Sequence, residues 1–265
     1  MVNHKFVFIS GLHRSGTSLL FQCIRDHPDI SGFKNTGVHE DEGQLLQSVY
    51  PPAKVYGGPG HFGFNPASHL TEESHLVSSD NANKLFNEWK KYWDLEKPFL
   101  LEKSPPNLVR SRFLQAVFPN SYFITLLRHP VAVSYATHPY SRKHSILPWK
   151  KWGNKSSIHS LIAHWLVCHK QFSCDKEYLR NLLVLKYEEF VVEPQATLNK
   201  IYEFLGVKSV PFSREVHPNV NDKYFSKWED IQNGTLTRFY TQYITQKFER
   251  RVNQYGYSLK NRELI

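Results

Sequence analysis

Eight residues near the N-terminus have the types and spacing of an anion cradle. Gly11 to Ser18 (GLHRSGTS) supplies two glycines, an arginine and three hydroxyls. Backbone N–H groups at a helix N-terminus bind phosphate or sulfate, and glycines allow the chain to approach the anion closely. Arg14 adds a fixed cation, and Ser15, Thr17 and Ser18 add donors. The spacing is that of G-x-x-x-x-G-K-S/T, except that Thr17 stands in the lysine's place. A P-loop NTPase uses that lysine on the β- and γ-phosphates and holds Mg²⁺ with the Ser/Thr and a strand-end Asp. Here the apolar run ending at Leu127 is followed by Arg128, a cation where a metal ligand would stand, and Glu102 is a weak substitute. The loop is therefore expected to bind an anion other than Mg·ATP. The bland alternative is a strand-to-helix turn with no ligand.

The elements that must position these residues can be read from hydrophobic period. Lys5 to Ser10 (KFVFIS) reads as a buried strand. Residues 15–27 then switch to helical period, with Leu19, Leu20, Cys23, Ile24 and His27 on one face and Pro28 as the stop. Further strands are expected at Pro98–Leu101, Ser121–Leu127 and Leu182–Leu185. Helices are expected near 81–94, 106–117, 157–173 and 195–205. Such alternation predicts an α/β fold with a parallel sheet covered by helices. Ligands bind beyond the C-terminal ends of such strands. That rule places Gly11–Thr17, Lys103 and Arg128 on one rim. Two irregular stretches interrupt the order. Residues 50–73 are rich in Pro, Gly and aromatics. Residues 138–156 carry Arg142, Lys143, Lys150, Lys151 and Lys155 with Trp149 and Trp152. Loops this long usually serve function, and both are expected to shape an acceptor site.

Composition narrows the class. The chain has 265 residues, 40% hydrophobic and 22% charged, which excludes disordered and fibrous classes. Lys and Arg total 33 against 24 acids, and the surplus of +9 favours anionic partners. Three cysteines make no disulfide framework and fit a reducing compartment. The apolar run Phe6–Ile9 is too short for a signal segment, and no apolar stretch is long enough to span a membrane. The expectation is a soluble, cytoplasmic, single domain over residues 1–265. Oligomeric state is not readable. His164, Cys168, His169 and Cys174 invite a metal reading. A structural zinc needs four converging ligands, and an ordinary amphipathic helix explains the same residues better.

At this point the residues resemble a family. Gly11–Leu20 is similar to the 5′-phosphosulfate loop of sulfotransferases that use 3′-phosphoadenosine 5′-phosphosulfate (PAPS), including the Arg-Ser-Gly-Thr core of the tyrosylprotein branch. Glu102 to Pro105 (EKSP) resembles a segment of the glycan branch. Leu126 to Pro130 (LLRHP) with Val131 to Ser134 (VAVS) resembles the 3′-phosphate motif. Lys186 to Phe190 (KYEEF), Pro194 and Phe204 to Val207 (FLGV) resemble a further stretch, and Ser226 to Trp228 (SKW) resembles the end of the tyrosylprotein enzymes. The matches run in chain order.

The resemblance implies a P-loop-NTPase-like sulfotransferase fold and sulfuryl transfer from PAPS to a hydroxyl or amine, leaving PAP, with no metal required. It implies that Arg14, Ser15, Gly16, Thr17 and Ser18 hold the 5′-phosphate and sulfate, and that Lys103 reaches the bridging oxygen. It implies Arg128 and a serine on the 3′-phosphate. Most members place that serine eight residues after the arginine, which here is Ala136. A loop two residues shorter selects Ser134, with Thr137 in reserve. Tyr187 is expected near the adenosine and Ser226 near the phosphosulfate. The base is expected from His39 to Gln44 (HEDEGQ): Glu40 or Glu42, with His39 behind. Small-molecule, glycan or lipid acceptors stay open, and nucleic acid is not expected. The competing readings are a P-loop kinase or nucleotidase with a degenerate loop, and a non-catalytic binder of anionic glycan or nucleic acid.

Overall fold

The computed structural model describes residues 4–141, 156–235 and 237–262. Five strands form one sheet: β1 Lys5–Gly11, β2 Ile30–Gly32, β3 Phe99–Lys103, β4 Ser121–Leu127 and β5 Leu182–Lys186. Their order is β2-β3-β1-β4-β5, and every pairing is parallel. Parallel strands need crossovers, and a strand buried on both faces is apolar throughout. β1 has that pattern, with Phe6, Val7, Phe8 and Ile9 at most 2% exposed. Each such side chain contributes roughly 1.5–3 kcal/mol on burial.

The helices are α1 Thr17–Ile24, α2 Ser79–Trp89, α3 Ser111–Val117, α4 Pro130–Thr137, α5 Ile158–Asp175, α6 Tyr187–Val192, α7 Pro194–Leu205, α8 Asp222–Asn233 and α9 Arg238–Asn253. One core joins the sheet to α1, α2, α3, α6 and α7 around Phe6, Phe8, Trp89 and Phe118. A second joins α4, α5, α8 and α9 around Trp165, Trp228 and Phe248. The expected α/β class and parallel sheet are present.

Several boundaries differ from the sequence reading. β3 runs on to Lys103, so Glu102 and Lys103 are strand residues and do not follow the strand. The helix expected at 106–117 is split. Pro105–Val109 forms a tight 3₁₀ turn and α3 starts at Ser111, because the backbone leaves the helical region at Arg110 (φ −133°) between them. β2 is three residues long, too short for a period to show. α4 opens on Pro130 and is buried on nearly every side, so it has no polar face to mark it. Residues 50–73 are not loose. Three 3₁₀ turns, Ala53–Tyr56, Phe62–Phe64 and Pro66–Ser68, bury Ala53, Phe62 and Ser68. Most of the basic stretch 138–156 lies outside the described residues. Among the described residues, no helix is long and apolar enough to cross a membrane.

Candidate functional site

β1 delivers the chain into the loop at Gly11, and the turn closes where Ser15 N–H donates to the Leu12 carbonyl at 3.0 Å. Arg14 (φ 69°) and Gly16 (φ 93°) are both left-handed. That geometry is costly for a side-chain residue such as Arg14 and free for glycine. Gly16 is required for a second reason. A Cβ there would lie 2.4 Å from the Tyr187 ring. Gly16→Ala is therefore expected to destabilise the fold by about 2–4 kcal/mol, from backbone strain and overpacking together. Urea denaturation checks this, and Tyr187→Leu should recover part of the loss in the double variant. An unchanged denaturation midpoint would show that the ring moves freely away.

The cleft over this loop has a volume of about 280 Å³. His13, Arg14, Gly16, Thr17 and Ser18 form its floor. His39, Glu40, Glu42 and Pro105 line one wall, and Arg128, Ala136, Lys223 and Tyr224 the other. A larger open groove of about 740 Å³ between α8 and α9 shares no residue with the loop.

Lys103 is fully buried at the end of β3. Its Nζ donates to Ser18 Oγ at 3.1 Å and lies 3.5 Å from Glu42 Oε1. Glu42 Oε2 accepts from Gln44 Nε2 at 2.5 Å. Gln44 is itself fixed, its N–H donating to Ser104 Oγ and its Oε1 accepting from Ala53 N–H. Glu102 sits behind this assembly, accepting from Gly43 N–H, Ser104 Oγ and Asn107 Nδ2 at 3.0, 2.6 and 2.6 Å. Burial pushes its carboxyl up to about 7, against those donors. Glu102 is thus a brace for the rim, with three of its roughly four acceptor sites in use.

Arg128 follows β4 directly and is 5% exposed. Its Nη1 donates to the Arg14 carbonyl at 2.7 Å, and Nε and Nη2 donate to Asn221 Oδ1 at 2.9 and 2.6 Å. Burial pulls its pKa below the ordinary arginine value, and a guanidinium stays charged regardless. Asn221 is held by Glu188, which also accepts from Tyr257 OH at 3.0 Å. The guanidinium stacks on Tyr187 at 4.1 Å and lies 5.7 Å from Tyr224.

The structure brings most of the sequence candidates to one rim: Arg14, Gly16, Thr17, Ser18, Lys103, Arg128, Glu40 and Glu42. Five others, counting the reserve Thr137, do not line that cleft. Ser15 lies under the loop, its N–H committed to Leu12 and its Oγ buried. Ser134 faces away from Arg128 into a small inner cavity, while Ala136 lines the cleft. Residues two apart on a helix point roughly 200° apart, so Ser134 and Ala136 do not both face the cleft, and it is Ala136 that does. Thr137 lines the same inner cavity. Tyr187 is 4% exposed, packed between Gly16 and Arg128. Ser226 is on the exposed side of α8, and its hydroxyl donates back to the Asp222 carbonyl at 2.9 Å. The preceding turn presents Tyr224 and Lys223 to the cleft instead.

His164 and Cys168 are neighbours, with Sγ 3.4 Å from Nε2. His169 instead donates to the Trp165 carbonyl and stacks on its ring, and Cys174 is exposed. The four do not converge on one point.

A second cleft of about 270 Å³ adjoins the first and shares His13, Arg14, His39 and Glu42 with it. Its other walls are largely apolar: Leu45, Pro52, Ala53 and Pro59, with Lys54 and Tyr140. Residues 50–73 thus reach the site, as the sequence suggests. Sequence reasoning missed His13, Asn221 and Tyr224. His13 sits at an unspecified position of the loop, Asn221 and Tyr224 lie in no periodic or spaced pattern, and only the fold brings Asn221 to Arg128.

Comparison with known proteins follows the same line. A family model described as Sulfotransferase family matches residues 7–211. Protein-tyrosine sulfotransferase A of Caenorhabditis elegans is 24% identical over 210 residues, 76% of this chain. The chain spans half of that protein's length. The sulfotransferase domain from the curacin biosynthetic pathway superposes with a TM-score of 0.56 at 15% identity, covering 96% of this chain and 98% of that one. A sulfotransferase from Alicyclobacillus acidocaldarius gives 0.53 at 18% identity, with 95% of each chain covered. These two likenesses show the shared fold. With the family match running through the loop, the EKSP segment, Arg128 and the KYEEF segment, the chain belongs to the sulfotransferase family.

Proposed function

We propose that residues 1–265 act as one domain that moves a sulfuryl group from PAPS to a hydroxyl or amine acceptor by in-line displacement. One observation carries the reading. A phosphate loop with Thr17 in the lysine position shares its rim with Arg128 and with a fully buried Lys103 held between Ser18 and Glu42. Sulfuryl transfer builds charge on the bridging oxygen of the leaving phosphate, so donors and cations must be aimed there in advance.

The loop amides, Arg14, Thr17 and Ser18 would hold the 5′-phosphate and sulfate. Lys103 would reach the bridging oxygen, and Arg128 the 3′-phosphate, a task suited to a guanidinium fork. Tyr224 offers an aromatic face to the base. Glu42 and His13 stand where the two clefts meet, on the acceptor side, with Glu40 and His39 at the exposed rim. The apolar second cleft suits a small-molecule, glycan or lipid acceptor presenting one hydroxyl. Three free thiols are in keeping with a cytoplasmic setting.

A kinase reading needs a strand-end acid free to hold Mg²⁺. Glu102 is fully buried and already accepts three hydrogen bonds, and the residue after β4 is Arg128. Calorimetric titration with PAP in EDTA, against ATP with Mg²⁺, tests the proposal. Micromolar or tighter PAP binding without metal is expected, with weak ATP binding. Binding of Mg·ATP alone would move the kinase reading to the front.

A further inference from the structure

The two clefts meet at His13, which lines both. It also lines a third, much smaller space of about 10 Å³ with Ser134, Thr137, Gly60 and His164. That volume suits a single water molecule. His13 Nδ1 and Ser134 Oγ are both buried, and neither has a hydrogen-bond partner among the described residues. Two bare polar atoms on one water-sized space mark a bridging water site, because a buried polar atom left unsatisfied is costly. The ring's other nitrogen, Nε2, is then the one left to face the clefts. Glu42 stands beside it with both oxygens engaged, by Lys103 and by Gln44.

We propose that His13 Nε2 takes the proton of the acceptor hydroxyl, with Nδ1 tied through one buried water to Ser134, and that Glu42 is the counter-charge to the imidazolium formed. The proposal rests on the sulfotransferase reading above. In the step, the acceptor oxygen bonds to sulfur while the bond from sulfur to the bridging oxygen breaks. The electron pair leaves on PAP, and the acceptor proton passes to Nε2 and later to solvent.

The charges around the ring support this division. Burial pushes the imidazole down to about 4, Glu42 opposes the shift, and Lys103, His39 and Arg110 add to it. His164 packs nearby, and burial holds its own imidazole well below the usual range. The free protein therefore presents a neutral ring, which can accept a proton. A bound donor fills the adjoining cleft with negative charge, and nearby anions favour the imidazolium. Donor binding thus raises the basicity of His13 toward the working pH, where general-base catalysis is most effective.

Two measurements on the full chain test this. The first is ¹⁵N-imidazole NMR over about pH 3.5 to 8, with and without PAP. The His13 pKa is expected near 4 in the free protein. It is expected to rise by at least about one unit with saturating PAP, and to lie lower in Glu42→Gln than in the wild type. A pKa that PAP leaves unmoved overturns the proposal.

The second is PAP release from PAPS, with 4-nitrophenol as probe acceptor and with water alone. His13→Gln keeps a hydrogen-bonding group that cannot carry the proton. Its turnover is expected to fall by more than about 100-fold, with PAP affinity within about threefold of wild type. Added imidazole should restore at least about tenfold to His13→Ala. More than about a tenth of wild-type turnover in His13→Gln, or no rescue by imidazole, returns the base to Glu42. Absence of PAP binding by the wild type is a separate result, which removes the sulfotransferase reading itself.

Discussion

Lys103→Ala is expected to slow sulfuryl transfer by about two to three orders of magnitude while leaving PAP affinity within about threefold of wild type. The expectation follows from where the charge stands. Lys103 is fully buried at the end of β3, and Ser18, its hydrogen-bond partner, is on the floor of the cleft proposed to take PAPS. Charge on the bridging oxygen grows only as the bond to sulfur breaks. A cation aimed at it therefore stabilises the transition state more than the bound ground state, and its removal lowers kcat more than it weakens binding. Lys103→Ala also leaves Glu42 buried without its cation, which costs about 3–5 kcal/mol in the extreme case. Lys103→Met combined with Glu42→Gln removes both charges and separates the two effects. If the double variant regains stability but turns over far more slowly than Glu42→Gln alone, the loss belongs to Lys103 in catalysis. A proportional rise in KM with unchanged kcat would place Lys103 in ground-state binding instead.

The sequence made the rim legible because the parallel sheet obeys a simple rule. β1 and β4 are short continuous apolar runs, and the residues at their C-terminal ends must lie where ligands bind. That put the loop, Lys103 and Arg128 on one rim, although β3 runs two residues past its expected end and includes Lys103. Register inside α4 was not legible. With no polar face, Pro130–Thr137 carries no period, so the resemblance alone had to choose between Ser134 and Ala136, and Ser134 lines the inner cavity. The face of Ser226 was hidden for a related reason. A short motif match fixes the chain position but not the helix face, and α8 turns Ser226 outward and Tyr224 inward. His13 was passed over because its neighbours in the loop explain the anion site without it. Its meaning lies in Ser134, Glu42 and residues 50–73, which only the tertiary structure brings around it.

The same long-range dependence makes Arg128 the sharpest test of the donor site. Arg128→Ala is expected to weaken PAP binding by about 1.5–3 kcal/mol, the range for a charge-assisted contact. This corresponds to roughly 10- to 150-fold in Kd. The guanidinium is already ordered before any ligand arrives, by the Arg14 carbonyl, Asn221 and the Tyr187 ring. Preorganisation lowers the cost of ordering on binding. The variant also strips a donor from the Arg14 carbonyl, so part of the loss could travel through the loop. Adenosine 5′-phosphosulfate, which lacks the 3′-phosphate, distinguishes the routes. If Arg128 meets the 3′-phosphate, the variant loses affinity for PAP but changes little toward adenosine 5′-phosphosulfate, so discrimination between the two ligands collapses. Arg128→Lys should recover only part of it, because an ammonium cannot form the two-pronged contact. Equal losses for both ligands would mean that Arg128 acts only by shaping the loop, and the 3′-phosphate would then need another partner, with Lys223 on the same wall the next to test.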